Sequence, residues 1–275
     1  MQFRRVSVDG RTSRMVLRGC VTLALLCTNA EAMADDVPSD VVDSPARQAF
    51  LAGTSKDCPG CDLRGVRLKR RDLSGADLTS ADLTDAVLHA ARLTNAKLAH
   101  AKLRDANLNK ADMKHAVLTG ADLSGALLYA TDLSGAQLDG ATMVHAHMAH
   151  ARLTRAGLRD ADLSRSLIME AELADCDLSH ANLKWANLRA ANLSRSDLTG
   201  SSAERSSFVN ARVRNAKLIG FSAIEADFYK ADLSGSNLTD ADFRSSRLQA
   251  ADLDGAITVG MKVQGALLVD GTIGQ

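Results

Sequence analysis

The sequence predicts an all-β solenoid, in which short strands wind into square coils of about 20 residues and each coil rests on the one before. Three observations predict it. Every fifth residue from Leu63 to Ile273 is the centre of a repeat, with no insertion or deletion. Most centres are Leu, with Met, Phe, Ile and Val among the rest, and the residue two before the centre is usually Ala, with Ser or Cys as substitutes. Hydrophobic residues make up 46% of the 275-residue chain but aromatic residues only 3%, so the core is filled by two sizes of side chain and little else. A period of five fits neither a helix at 3.6 nor a strand at 2. It fits an extended segment of two or three residues followed by a turn. With the centre called position i, residues i−2 and i point inward, while i−1, i+1 and i+2 face solvent or bend the corner.

The elements follow in chain order. Residues 1–34 read as a secretory signal peptide. Arg4, Arg5, Arg11, Arg14 and Arg18 precede a short apolar run from Cys20 to Cys27, and Ala32 and Ala34 suit positions −3 and −1 of a cleavage after Ala34. The run is too short for a membrane span, which needs about 20 apolar residues. Met15 is an alternative start that would shorten the basic region. A signal here implies a periplasmic or secreted protein with no transmembrane segment in its mature chain.

Residues 35–60 form an acidic linker and an N-terminal cap. Ser44, Pro45 and Gly53 suit the N-cap, first-turn and C′ positions of a two-turn helix over 45–52. So short a helix needs tertiary support, and Phe50 and Leu51 are expected to bury against the open end of the solenoid. Cys58 and Cys61, in Cys58-Pro-Gly-Cys61, read as a structural pair or turn pinning the cap to the first coil; a redox CxxC is the alternative. Cys176, at a small-residue position, reads as an inert buried thiol.

Residues 61–275 form the solenoid. Position i−1 favours Asp or Asn, as at Asp72, Asp77, Asp82, Asn182, Asn187 and Asn192, and position i+1 favours Ser or Thr. These residues stabilise turns through local backbone bonds. Stretches such as Ala76-Asp77-Leu78-Thr79-Ser80 and Ala181-Asn182-Leu183-Lys184-Trp185 resemble the pentapeptide-repeat family, whose pattern is Ala-(Asp/Asn)-Leu-X-X. The resemblance covers the repeat and implies a right-handed quadrilateral parallel β-helix, with residues 20 apart stacked in columns. At the parallel-strand spacing, about 11 coils give a rod of roughly 50 Å.

Departures from the pattern mark places where a partner could dock. Ala203 and Ala223 replace Leu at two centres in one column, Phe221 occupies a small position, and Phe208 and Phe228 lie 20 apart. These are expected either to repack the core or to form a groove. The end of the chain is apolar, with Val259, Met261, Val263 and Leu268, and carries no capping helix. A solenoid end left open favours self-association, so residues 256–275 are a possible homodimer interface, as in family members that join end to end.

Chemistry is weakly represented. His145, His147 and His150 cluster as HxHxxH, but all three point outward in this register, so they are weak metal candidates. No catalytic residue, cofactor site or metal site is assigned. The basic excess of residues 1–34 offsets the acidic excess of 35–60, and the repeat itself is neutral. That argues against nucleic-acid binding. It also argues against the DNA-mimic, topoisomerase-interacting role that the resemblance implies as an alternative. A metal or redox module using the histidines or the cysteine pair is a second alternative. The leading expectation is a non-catalytic exported scaffold that binds a protein or a cell-envelope component.

Overall fold

A computed structural model describes residues 44–275. The expected signal peptide, its cleavage after Ala34 and the acidic stretch to residue 43 lie outside the described residues.

Helix α1 spans Pro45–Ala52. Ser44 caps it, its hydroxyl accepting from the Arg47 N–H at 3.2 Å, and Gly53 closes it in the left-handed region at φ 80°. Phe50 is fully buried under the first coil, with the Arg71 guanidinium 4.6 Å from its ring centroid and donating to its carbonyl. Leu51 departs from expectation and stays 41% exposed. Adjacent helical residues face different directions, so a two-turn plug can bury only one of the two. Cys58 and Cys61 are joined by a disulfide just before the first coil, with their Cα atoms 5.4 Å apart.

From Asp62 onward the chain is a stack of one-residue parallel bridges, each joining residue i−1 to the residue 20 further on, as in Asp62↔Asp82, Asp82↔Lys102 and Lys102↔Asp122. The coil therefore has four sides of five residues. Centres such as Leu73, Leu78 and Leu83 and small residues such as Ala76, Ala81 and Ala86 are buried in one continuous core. Each inward Leu contributes about 1.5–3 kcal/mol by burial.

A tally of backbone amides in one repeat shows why the pattern reads as it does. The centre donates to the next coil (Leu73 N–H to the Arg92 carbonyl, 2.7 Å), as does i+2 (Gly75 to Thr94, 2.9 Å). Residue i−1 donates to the previous coil (Asp82 to Cys61, 2.9 Å), and i−2 closes the turn behind it (Ala76 to Leu73, 3.0 Å). Only the amide of i+1 has no backbone acceptor. The carboxylate or amide oxygen of i−1 supplies one: Ser74 N–H to Asp72 at 3.0 Å, Thr84 N–H to Asp82 at 3.1 Å, Asn109 N–H to Asn107 at 3.2 Å. Asp and Asn at i−1 therefore serve the turn, and a Ser or Thr hydroxyl at i+1 often donates to the same oxygen, as Thr84 does at 2.7 Å. Where Ser or Thr replaces Ala at i−2, its buried hydroxyl donates to a turn carbonyl, as Ser196 does to Leu193 and Thr131 does to Leu108.

The turn imposes one feature that the sequence reading did not anticipate. Every residue at i+2 from Gly60 to Gly265 has positive φ, including Arg70, His100, Trp185 and Lys230. A turn closed from i to i+3 with its third residue at positive φ resembles type II, and each non-glycine there accepts the strain of the left-handed region.

The regular stack ends earlier than the sequence period. Leu268 is the last stacked centre. Beyond it the chain turns back, and Ile273 bridges Leu267 in antiparallel sense instead of starting another coil. Leu268 and Gly265 donate to the Thr272 and Gly274 carbonyls, and Gly274 donates to Ala266. Ile273 is therefore 61% exposed and is not a core centre. A β-carbon at Gly274 would fall 2.2 Å from the Val263 carbonyl oxygen, so only glycine lets the returning strand lie this close.

Candidate functional site

The faces of the solenoid present i−1 and i+1 in columns 20 residues apart. Their charges pair along the column: Arg92 with Asp72 at 3.4 Å, Lys97 with Asp77 at 3.7 Å, Lys217 with Asp197 at 3.2 Å, and Arg247 with Asp227. Corner residues do the same, as in Arg195–Asp175 at 2.7 Å and Arg205–Glu225 at 2.6 Å. Such exposed pairs contribute little to stability, about 0–1 kcal/mol each. Their effect is to cancel the field locally, so these columns build neither a basic nor an acidic stripe. At Asp72 and Asp77 the turn acidifies the i−1 carboxylate. Asp72 is lowered from 3.8 to about 2, first by the Ser74 amide, then by the Ser74 hydroxyl, with Lys56 assisting. Asp77 is lowered by the Thr79 hydroxyl and amide.

The structure separates the three histidines. His145 and His150 sit at left-handed corner positions of successive sides, and His147 lies on the strand between them, bridged to Leu127 and Leu167. His150 pairs with Glu170 one coil further on at 3.5 Å and meets the Tyr129 ring edge-on at 5.4 Å. Among the described residues no group of His, Cys, Asp and Glu converges on a point that could hold a metal. Cys176 is buried, its Sγ 2.8 Å from the Leu153 carbonyl, and burial pushes its thiol up to about 12.

The irregular stretch is core, which corrects one expectation. Ala203, Phe208, Phe221, Ala223 and Phe228 are all fully buried and present nothing to a partner. Phe208 and Phe228 stack at 4.5 Å with their planes 6° apart, and Phe221 meets both edge-on at 6.2 and 6.4 Å. Phe243, in the following coil, joins them at 6.1 Å from Phe221 and 5.0 Å from Phe228. The phenylalanine at a small position occupies the room that two alanine centres leave, so no groove forms.

The other expected surface is open. Leu253, Thr258, Met261, Val263 and Leu268 of the last coil have no coil above them and line an apolar opening of about 300 Å³. Val259 beside it is 69% exposed. Amides of the coil before, such as Leu233, Gly235, Leu238 and Asp240, donate to the last coil. Their counterparts Leu253, Gly255, Thr258 and Gly260 point past the end of the stack. The returning strand 270–275 satisfies the side carrying Gly265 and Leu268, and the others have no backbone partner among the described residues. Among the described residues the end is therefore half-covered, with exposed apolar surface beside unpaired strand amides.

A second exposed feature escaped the sequence reading. Trp185, the only tryptophan of the chain, stands at a left-handed corner with half its surface in water. Its signal was available as a large aromatic at a position otherwise held by small, polar or charged residues.

The chain matches the family described as pentapeptide repeats, in 8 copies over residues 61–98, 96–135, 131–168, 169–202, 206–244 and 224–257. No curated protein matches it significantly. Among solved structures it is similar to HetL, a pentapeptide repeat protein involved in heterocyst differentiation regulation from the cyanobacterium Nostoc sp. strain PCC 7120. The identity is 32% over 83% of this chain and 98% of that one, with a TM-score of 0.43. It is similar to Rfr23, a pentapeptide repeat protein from the cyanobacterium Cyanothece 51142, at 31% identity over 31% of this chain and 58% of that one, TM-score 0.31. Full-length QnrB1, a plasmid-mediated fluoroquinolone resistance protein, matches at 18% identity over 75% of this chain and 92% of that one, TM-score 0.27.

Proposed function

Since the chain belongs to the pentapeptide-repeat family, whose members are generally non-enzymatic binding or structural proteins, we propose that it is a non-catalytic exported scaffold. Membership also implies the right-handed coil. The observation that carries the reading is the unbroken stack from Asp62 to Leu268. A catalytic site needs side chains from different directions converging on one point. Here every side repeats the same outward geometry, and every inward position is filled. What remains for function is a set of flat, charge-balanced faces and one apolar end.

The partner is a protein or a component of the cell envelope, reached after removal of residues 1–34. The half-covered end at Val259, Met261, Val263 and Leu268 supports a homodimer through residues 256–275, since unpaired strand amides beside apolar surface favour joining to a like edge. The family's alternative, DNA mimicry toward a topoisomerase, is less well supported. A DNA-like surface needs an uncompensated acidic column, and several acidic residues at these faces, such as Asp72, Asp77 and Asp197, are paired with Arg or Lys one coil away. A pull-down from an envelope fraction with residues 35–275 tests the reading. A specific envelope partner supports it, whereas recovery of topoisomerase and nucleoid proteins alone overturns it.

A further inference from the structure

We propose that the corner around Trp185 binds a neutral hexopyranose ring of an oligosaccharide. Trp185 and Arg205 are 20 residues apart, stacked at the same corner, and the Arg205 guanidinium lies 4.9 Å from the indole centroid. Glu225, another 20 residues on, holds Arg205 with two bonds of 2.6 and 3.3 Å. The indole is thereby backed on one face by a fixed cation, while the residue keeps 50% of its surface in water. Nothing in the coil requires a tryptophan here. The equivalent corner positions at Ala90, Ala130, Ala190 and Ala250 make the same turn with no side chain beyond a methyl.

The second observation is beside it. Lys184, Trp185, Glu204, Arg205, Ile224 and Glu225 line a shallow recess of about 310 Å³. Glu204 Oε1 accepts from the Ser222 hydroxyl at 2.8 Å, but Glu204 Oε2 is buried and has no hydrogen-bond partner among the described residues. Buried acceptors are normally satisfied. Its nearest cation is the Lys184 ammonium at 3.5 Å, an ion pair without a formed hydrogen bond. The recess thus combines a half-exposed aromatic ring, a buried carboxylate oxygen with no hydrogen bond and a half-exposed ammonium.

A sugar ring matches this combination. Its axial C–H face is apolar and lies flat on an aromatic plate, and its equatorial hydroxyls radiate in the plane of the ring. A hydroxyl that displaces the half-exposed Lys184 ammonium from its 3.5 Å contact uncovers Glu204 Oε2, donates to it and accepts from Lys184. A phosphorylated or anionic sugar is disfavoured by Glu204 and Glu225, and a cationic ligand by Lys184 and the Arg205 already stacked on the indole. This inference deepens the scaffold reading by naming the chemistry of an envelope partner.

The test uses residues 35–275 with the tetramer of β-1,4-linked N-acetylglucosamine and with maltotetraose. Trp185 is the only tryptophan, so tryptophan emission, excited selectively over the two tyrosines, reports this corner alone. Saturable change in emission with either sugar, at a Kd near or below about 1 mM, is expected. By calorimetry, Trp185→Ala should weaken binding about tenfold. Glu204→Gln should weaken it severalfold, and Tyr129→Ala, at a distant exposed aromatic, should leave it unchanged. Trp185→Ala keeps a corner residue already found at Ala190, and an unchanged melting curve verifies the fold. No change with either sugar up to about 10 mM, or equal binding by Trp185→Ala, overturns the proposal. A protein that fails this test yet captures an envelope protein loses the saccharide and keeps the scaffold reading.

Discussion

The phenylalanine cluster makes a testable claim about how the coil conserves volume. Phe221 sits at a position that is usually Ala, and Ala223 sits at a position that is usually Leu, so the pair is a size exchange within one strand. Phe221→Ala removes a fully buried ring in contact with three others. Its expected cost is about 3–5 kcal/mol from lost burial and the cavity left behind. The aromatic contacts are worth about 0.5–1.5 kcal/mol beyond area and fall within that range. Ala223→Leu alone overpacks the site and should cost about 1–3 kcal/mol. The double variant restores the usual Ala-x-Leu order, and most of the Phe221→Ala loss should return. Urea unfolding of the four proteins, followed by far-ultraviolet circular dichroism, gives the coupling energy. A favourable coupling of at least about 2 kcal/mol is expected for neighbours sharing one cavity. If the two single costs simply add, the size-exchange argument is wrong.

Three further outcomes follow from the repeat geometry. Asp82→Ala should destabilise by about 0.5–1.5 kcal/mol because it strips the acceptor from the part-buried turn amide of Thr84, while Asp82→Asn should be near neutral in a thermal melt, since Asn107 performs the same task. The depressed carboxylates add a pH dependence with a defined sign. A carboxyl whose folded value lies below its unfolded value of 3.8 contributes stability that is complete above that value and is lost as pH falls through the folded one, about 2 for Asp72. The melting temperature should therefore fall steadily from just below pH 4 toward pH 2, and a curve flat across that window would contradict the turn assignment. Finally, Leu133→Asp places an unpaired charge in the core and should unfold neighbouring coils, whereas Ser134→Asp, on the outer turn, should keep its circular dichroism and melting temperature close to wild type.

Much of the fold was legible because a strict period leaves few solutions. Leucine at i with alanine at i−2 fixes which side chains point inward, and an unbroken register from Leu63 leaves the coil no room for an inserted loop. The Ser44–Gly53 helix was legible from its caps. Leu51 was misread because burial of a two-turn plug depends on the surface it meets. Of the two outcomes expected at 201–228, repacking holds and the groove does not, for a related reason. A large residue at a small position looks like a protrusion in one dimension, but in the coil interior it can fill space left by alanines a whole turn away.

The amino-acid sequence on its own determined the repeat unit, its inward and outward positions, the column of residues 20 apart and the neutrality of the surface, because each follows from local pattern repeated without a slip. The tertiary structure decided the rest. Stacking forces every i+2 residue to positive φ, a backbone state that hydrogen bonds between coils impose on residues that do not favour it. It turns residues 270–275 back on Leu267 and Leu268 in antiparallel sense, which satisfies their amides and carbonyls locally. And it brings Trp185, Lys184, Glu204, Arg205 and Glu225, spread over 42 positions of sequence, into one corner, because a coil of 20 residues makes distant residues neighbours.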